Sequence, residues 1–259
     1  MMKKLLFLLA AILAGSCTAA FGWGKTGHDA IAAIAEAHLT PKARKQIERY
    51  LDGRSIIYYA SWMDQVRVSE PYKHTTRWHT DRVDAAGSYL PNAKDGDAVA
   101  GIEDAMAKLS DLRACDDSTA RVAIYCLVHL VGDMHCPSHV KYPWYKDFKF
   151  ELNGRACSFH SYWDTQVLEL NHRWGYEDYR YQLDRCTKRE REALAAGTPR
   201  EWLADNARRC RVLYEWISEG QRLGRAETND FLMKTQQLAE EQILRAGYRL
   251  ARILNELFG

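Results

Sequence analysis

From Asp230 to Phe258 the chain reads as one long amphipathic helix, with apolar residues at three- and four-residue spacing. A helix of that length cannot bury its own apolar stripe, so other helices must pack against it. The rest of the sequence offers them. Thr40-Pro41 caps and starts a helix that reads to Leu51 and stops at Gly53. Asp97 caps a second, running to about Leu112. Ser118 or Thr119 opens a third, in which Val122, Ile124, Leu127, Val128 and Val131 are apolar. The stretches Thr187 to Glu190 and Thr198 to Glu201 both fit the capping box. Only Phe148 to Leu152 alternates like a strand, just before an Asn153-Gly154 turn. The 259 residues show no repeat, linker or low-complexity stretch. The expected fold class is therefore all-α, a single mainly helical domain carrying a short β-hairpin.

The amino end reads as an export signal. Lys3 and Lys4 precede an apolar run from Leu5 to Ala14, too short to span a bilayer, and Ala20-Phe21-Gly22 offers a cleavage site before Trp23. Residues 1–22 are expected to be a leader and 23–259 the functional domain, exported to the periplasm or the medium. Ala14-Gly15-Ser16-Cys17 also loosely resembles a lipoprotein signal, but the small residues Ala20 and Gly22 favour the later cut. No later stretch is apolar enough to suggest a membrane span.

Removing the leader takes two lysines and no acids, leaving 34 basic against 34 acidic side chains. That balance excludes the basic surplus of a duplex-binding protein. If the chain binds phosphate, the positive charge must come from elsewhere. Six cysteines remain after Cys17: Cys115, Cys126, Cys136, Cys157, Cys186 and Cys210. An even number in an exported chain suggests disulfides, with the pairing open, and the lack of CxxC speaks against a cysteine zinc site.

His129 and Asp133 stand four apart on the third helix, and His160 and Asp164 repeat that spacing. Taken singly, each pair is more simply a hydrogen-bonded histidine on a half-buried helix face. The surroundings change the balance. Pro137 disfavours helix at Cys136, so the helix ends there and His139 falls in a loop that can fold back beside it. Imidazole nitrogen and carboxylate oxygen suit zinc. Upstream, Asp64 precedes Arg67 by three, Trp78-His79 follows, and Trp23 precedes His28 by five. Alone, Asp64 would be a surface carboxylate and Trp23 a buried aromatic.

Together, Trp23, His28, Asp64, His79, His129, Asp133, His139, His160 and Asp164 resemble, in order and spacing, the nine zinc-binding residues of the S1/P1-type nuclease family. These are secreted, zinc-dependent single-strand nucleases and 3′-nucleotidases related to zinc phospholipases C. The resemblance spans essentially the whole chain after the leader. It implies three zinc ions: the first on Asp64, His79, His129 and Asp133, the second on His139, His160 and Asp164. The third would take the Trp23 amine and carbonyl, His28 and a bridging Asp133. Three divalent ions against three carboxylates leave a site charge of +3, which answers the missing lysine surplus. The implied reaction is in-line attack of a zinc-bridging hydroxide on phosphorus, releasing 5′-nucleotides, with catalytic roles for Asp64 and for Arg67 on the phosphate.

Departures from the family pattern concern base reading. Thr80 and Arg82 stand where an aromatic and an acid are usual, and Ser158-Phe159 replaces the customary Asn-Leu. Phe159 and Tyr162 can offer stacking faces but read more simply as core. His38, His74, His135 and His172 match no ligand position. The implied partner is single-stranded nucleic acid or a nucleotide, with no stable duplex binding and a monomeric chain. Two rivals stand beside this reading. One is a zinc phospholipase C, disfavoured because that group has glutamate where Asp164 stands. The other is a non-catalytic exported binding protein of the same fold.

Overall fold

A computed structural model describes residues 22–259. The expected leader, apart from Gly22, and the alternative lipidation site Cys17 lie outside the described residues. In chain order come α1 (Lys25–Ala37), α2 (Pro41–Tyr50), α3 (Trp62–Val66), β1 (Asp81–Arg82), α4 (Ala98–Ser110) and α5 (Asp117–His135). Then follow β2 (Val140–Lys141), β3 (Lys149–Leu152), β4 (Arg155–Ser158) and a broken helix over 159–169 with a π turn at Tyr162–Gln166. The chain ends with α6 (Tyr176–Leu183), α7 (Lys188–Ala195), α8 (Pro199–Cys210), β5 (Arg222–Leu223) and α9 (Arg225–Phe258).

Helix α5 organises the molecule. Every residue from Ala123 to His135 is buried, as expected of a helix enclosed on all sides. Its cap is Asp116 rather than Ser118 or Thr119, because the Asp116 carboxylate accepts from both of their amides, at 2.9 and 3.0 Å. Pro137 ends it at Cys136 as its sequence predicts. Such burial leaves His129, Asp133 and His135 needing partners inside the protein.

The long amphipathic helix is α9. It starts at Arg225, ahead of the expected Asp230, because Glu227 reaches back to accept from the Gly224 amide at 2.8 Å. Its apolar stripe packs on α1 and α5, with α2 and α7 also against it. Gly247 permits the approach to α1, since a Cβ there would collide with Ile34. The expected caps at Thr40, Asp97, Thr187 and Thr198 all form.

The hairpin β3–β4 turns at Asn153-Gly154, where φ is +46° and +82°. Two strand contacts were not legible. β5 adds to β3 in parallel, and β1 pairs in parallel with β2, placing Asp81 opposite Val140. Two-residue strands carry no alternation to read. The β1–β2 pair matters to the site, because it ties the chain just after His79 to the chain just after His139.

The expectation of disulfides is corrected: all six described cysteines carry free thiols. Cys126 and Cys136 lie on and at the end of α5, Cys157 on β4 and Cys210 at the end of α8. Their sulfurs have other partners: Cys136 faces Ser138 and Asp164, and Cys210 faces Gln242. Among the described residues no helix is long and apolar enough to cross a membrane.

Candidate metal centre

The site grows from one turn of α5. His129 Nε2 and Asp133 Oδ2 lie 3.1 Å apart across that turn. His129 Nδ1 donates to the Ala60 carbonyl at 2.8 Å, which leaves the Nε2 lone pair directed at the cluster. His79 Nδ1 stands 2.7 Å from the same Asp133 oxygen. Asp64, on the short helix α3, brings Oδ1 to 3.8 Å from both His79 Nδ1 and His129 Nε2. The four residues expected at the first cation thus converge.

Helix α1 supplies His28. Gly132 on α5 makes room for it, since a Cβ there would lie 2.9 Å from His28 Nδ1. The His28 and His129 rings stack at 4.0 Å, and His28 Nε2 reaches to 3.5 Å from Asp133 Oδ1. Trp23 is fully buried. Gly22, just before it, presses so closely on Asp133 that a Cβ would collide with Oδ1. The junction of residues 22 and 23 therefore lies at the carboxylate expected to bridge the first and third cations.

Around Asp164 lies the remaining set. Its Oδ1 is 3.5 Å from His139 Nε2, and its Oδ2 is 3.2 Å from His160 Nε2. His139 Nδ1 also comes to 3.6 Å from Asp133 Oδ1, linking this set to the first. Donor atoms gather within 4.8 Å of one another in three groups: His28, Asp64 and His129; His79, His129 and Asp133; Cys136, His139 and Asp164.

Charge in this pocket is frustrated in a way that a cation would resolve. Burial first, then His129, lowers the His28 pKa. Burial holds His139 well below the usual imidazole range, and burial with Lys141 brings His160 to about 3. A lowered pKa favours the neutral imidazole, the form that ligates a metal. His129 differs: burial opposes its charge, but Asp133 and Asp64 raise it to about 9. Asp133, against burial, is held well below the carboxylate range chiefly by His129. Burial and Asp133 raise Asp164 well above its ordinary value.

Hydrogen bonding tests whether the residues fit a metal. Buried atoms without a hydrogen-bond partner include both ring nitrogens of His28 and of His139, His79 Nε2, Asp64 Oδ1, Asp133 Oδ1 and Asp164 Oδ2. Orphaned buried polar atoms cost roughly 1–3 kcal/mol each. So many gathered around one carboxylate fit a metal cluster, and imidazole with carboxylate is a donor set zinc accepts.

Arg67 is buried beside this cluster, with Nε 3.9 Å from Asp64 Oδ1. Phe159 and Tyr162 are wholly buried in the core, which removes them as stacking faces. Of the other histidines, His38 binds Asp184, His74 meets the Pro71 carbonyl, His172 stacks on Trp174, and buried His135 lies between Val131 O and Arg249. Three neighbours went unread in the sequence. Lys141 sits with Nζ 3.3 Å from His160 Nδ1, Tyr145 OH is 3.0 Å from the same nitrogen, and Cys136 Sγ is 3.7 Å from Asp164 Oδ1. The one signal for Cys136 was its place three residues before His139.

A mainly helical chain that gathers five imidazoles and three carboxylates about the end of one helix has the donor set of a metal-dependent hydrolase. The profile of the family described as S1/P1 Nuclease matches residues 23–259, and the chain belongs to that family. It is similar to Endonuclease 2 of Arabidopsis thaliana, 25% identical over 92% of this chain and 91% of that protein. It is likewise similar to Nuclease P1 of Penicillium citrinum, 25% identical over 92% of this chain and 98% of that protein. Nuclease S1 of Aspergillus oryzae is 24% identical over 98% of each chain. The protein is a nuclease, a hydrolase of phosphodiester bonds, and zinc is its family's cofactor.

Proposed function

We propose that this nuclease acts on single-stranded DNA or RNA, releasing 5′-nucleotides, and also on 3′-nucleotides, through three zinc ions held by Trp23, His28, Asp64, His79, His129, Asp133, His139, His160 and Asp164. The observation that carries this reading is the gathering of orphaned buried nitrogens and oxygens around Asp133. When bound, zinc supplies Lewis acidity, polarising phosphate and lowering the pKa of water.

The chain's own residues do the rest. Asp133 turns one oxygen to His79 and His129 and the other to His28, so each of its oxygens would be available to hold a cation. Ala60 O fixes the His129 tautomer. Arg67, with its forked donors, holds and orients the phosphate. The buried walls exclude bulk water, which strengthens each of these interactions.

A near-balanced charge and a recessed cluster favour a strand that can bend its phosphate inward over a rigid duplex. Export is part of the same proposal, since a free Trp23 amine requires removal of the leader. The deciding experiment is a hydrolysis panel of single-stranded DNA, RNA, duplex DNA, 3′-nucleotides and phosphatidylcholine. Single strands are expected to be cut fastest. Equal rates on duplex, in salt that keeps it paired, or a preference for the lipid, would overturn the reading.

A further inference from the structure

We propose that Cys136 supplies a sulfur ligand to the second cation, joining His139 and Asp164 in one donor group, an assignment that rests on the zinc reading above. The thiol is fully buried and stands 3.7 Å from Asp164 Oδ1. His139 Nε2 stands 3.5 Å from that same oxygen. Tetrahedral zinc, with bonds near 2.3 Å to sulfur and 2.0–2.1 Å to nitrogen or oxygen, sets its ligand atoms roughly 3.3–3.6 Å apart. Both separations are within a few tenths of an ångström of that spacing.

Local structure explains how the sulfur arrives there. Pro137 ends α5, and the turn that follows is closed by His139 N donating to Cys136 O at 2.9 Å. Cys136 and His139 thereby present sulfur and imidazole side by side toward one carboxylate. His160 approaches the other Asp164 oxygen, at 3.2 Å. A simpler role for Cys136 is a small buried side chain giving a weak hydrogen bond to Asp164 or Ser138. That role leaves both ring nitrogens of His139 without partners in a 2% exposed side chain. A cation shared with Cys136 would take one of those nitrogens together with an Asp164 oxygen. Among the described residues, Cys136 is the one cysteine that joins such a donor group.

The consequence is a division between the cations, since only this donor group includes a sulfur among the described residues. Sulfur also favours zinc over the hard oxygen-loving cations. The second ion should therefore be held most firmly, with the thiol proton passing to solvent as it binds.

Cobalt substitution tests this without relying on activity. Metal-free full-length protein is titrated with Co²⁺ and its absorption recorded, beside Cys136→Ser and the control Cys115→Ser. The expected result is a near-ultraviolet sulfur-to-cobalt charge-transfer band in the wild type and in Cys115→Ser. In Cys136→Ser that band should be lost while the visible cobalt bands persist. Cobalt bound with no sulfur band, or a band surviving in Cys136→Ser, overturns the sulfur ligand and leaves the cluster standing. No stoichiometric cobalt at all overturns the cluster reading itself. Should Cys136→Ser fail to fold, zinc-edge X-ray absorption of the wild type decides: sulfur at about 2.3 Å supports the assignment, and only nitrogen and oxygen neighbours refute it.

Discussion

His79 Nδ1 and Asp133 Oδ2 meet at 2.7 Å although 54 residues separate them in the chain. The same carboxylate turns its other oxygen to His28, 3.5 Å away. One aspartate thus joins side chains from α1, α5 and the segment before β1, which makes it the centre of the cluster.

Loss of that bridge should be the most damaging single ligand change. His28→Ala removes a donor to one cation and is expected to lower activity at least ~10-fold, the lower end of what losing even an indirect support of a metal ligand costs. Asp133→Asn should exceed that loss and release more zinc, measured by metal analysis of the purified variants. If His28→Ala proved the worse on both measures, the bridging role would belong elsewhere.

Arg67 is assigned to the phosphate and not to a metal. Arg67→Ala should therefore reduce kcat roughly a hundredfold, the scale of losing one charge-stabilising donor, with zinc content unchanged. A variant that lost zinc in proportion to activity would place Arg67 among the groups that build the cluster.

Away from the site, Asp205 anchors a group of arginines. Arg249 Nη2 is 3.1 Å, Arg209 Nε 3.2 Å and Arg245 Nη1 3.3 Å from its carboxylate. Burial alone would raise the Asp205 pKa, but Arg209, Arg249 and Arg245 hold it below the ordinary value. A lowered folded-state pKa contributes stability above the unfolded value, and that contribution fades as pH falls through the folded one. Asp205→Asn should cost about 2 kcal/mol at neutral pH, because Arg249 is left buried without its counter-ion. The deficit should shrink in acid below about pH 4, as urea unfolding at both pH values would record. A deficit independent of pH would mean that packing, not charge, is lost.

Much of this was legible because it is local. The i, i+4 spacing of His129 and Asp133 puts both on one turn, and Thr40, Asp97, Thr187 and Thr198 cap the helices that their sequences announce. Asp64, His79 and His28 were legible only through the family pattern, since nothing local marks them as ligands. The place of Cys136 beside Asp164 was not legible, because that proximity spans 28 residues of chain and no CxxC marks it. The β1–β2 pair escaped for another reason: two residues hold no period. The disulfide expectation failed because an even cysteine count says nothing of where each thiol points.

Processing of the amino end is open to direct measurement. Gly22 lies against Asp133, so the Trp23 nitrogen enters the cluster only as a free amine once the residues before it are removed. An amide nitrogen is a poor zinc ligand. Mass spectrometry of the exported protein should find Trp23 as the first residue with an unblocked amine. An acylated Cys17 on active, fully zinc-loaded protein would contradict both the cut and the terminal ligand.

The most direct measurement is hydrolysis of single-stranded DNA by protein stripped of metal with a chelator at neutral pH, then resupplied with zinc. Stripping should abolish cleavage, and about three equivalents of zinc should restore it, because the unpartnered imidazole and carboxylate atoms around Asp133 are there to hold cations. Cleavage that persists after exhaustive chelation, in protein shown by metal analysis to be zinc-free, would contradict the account.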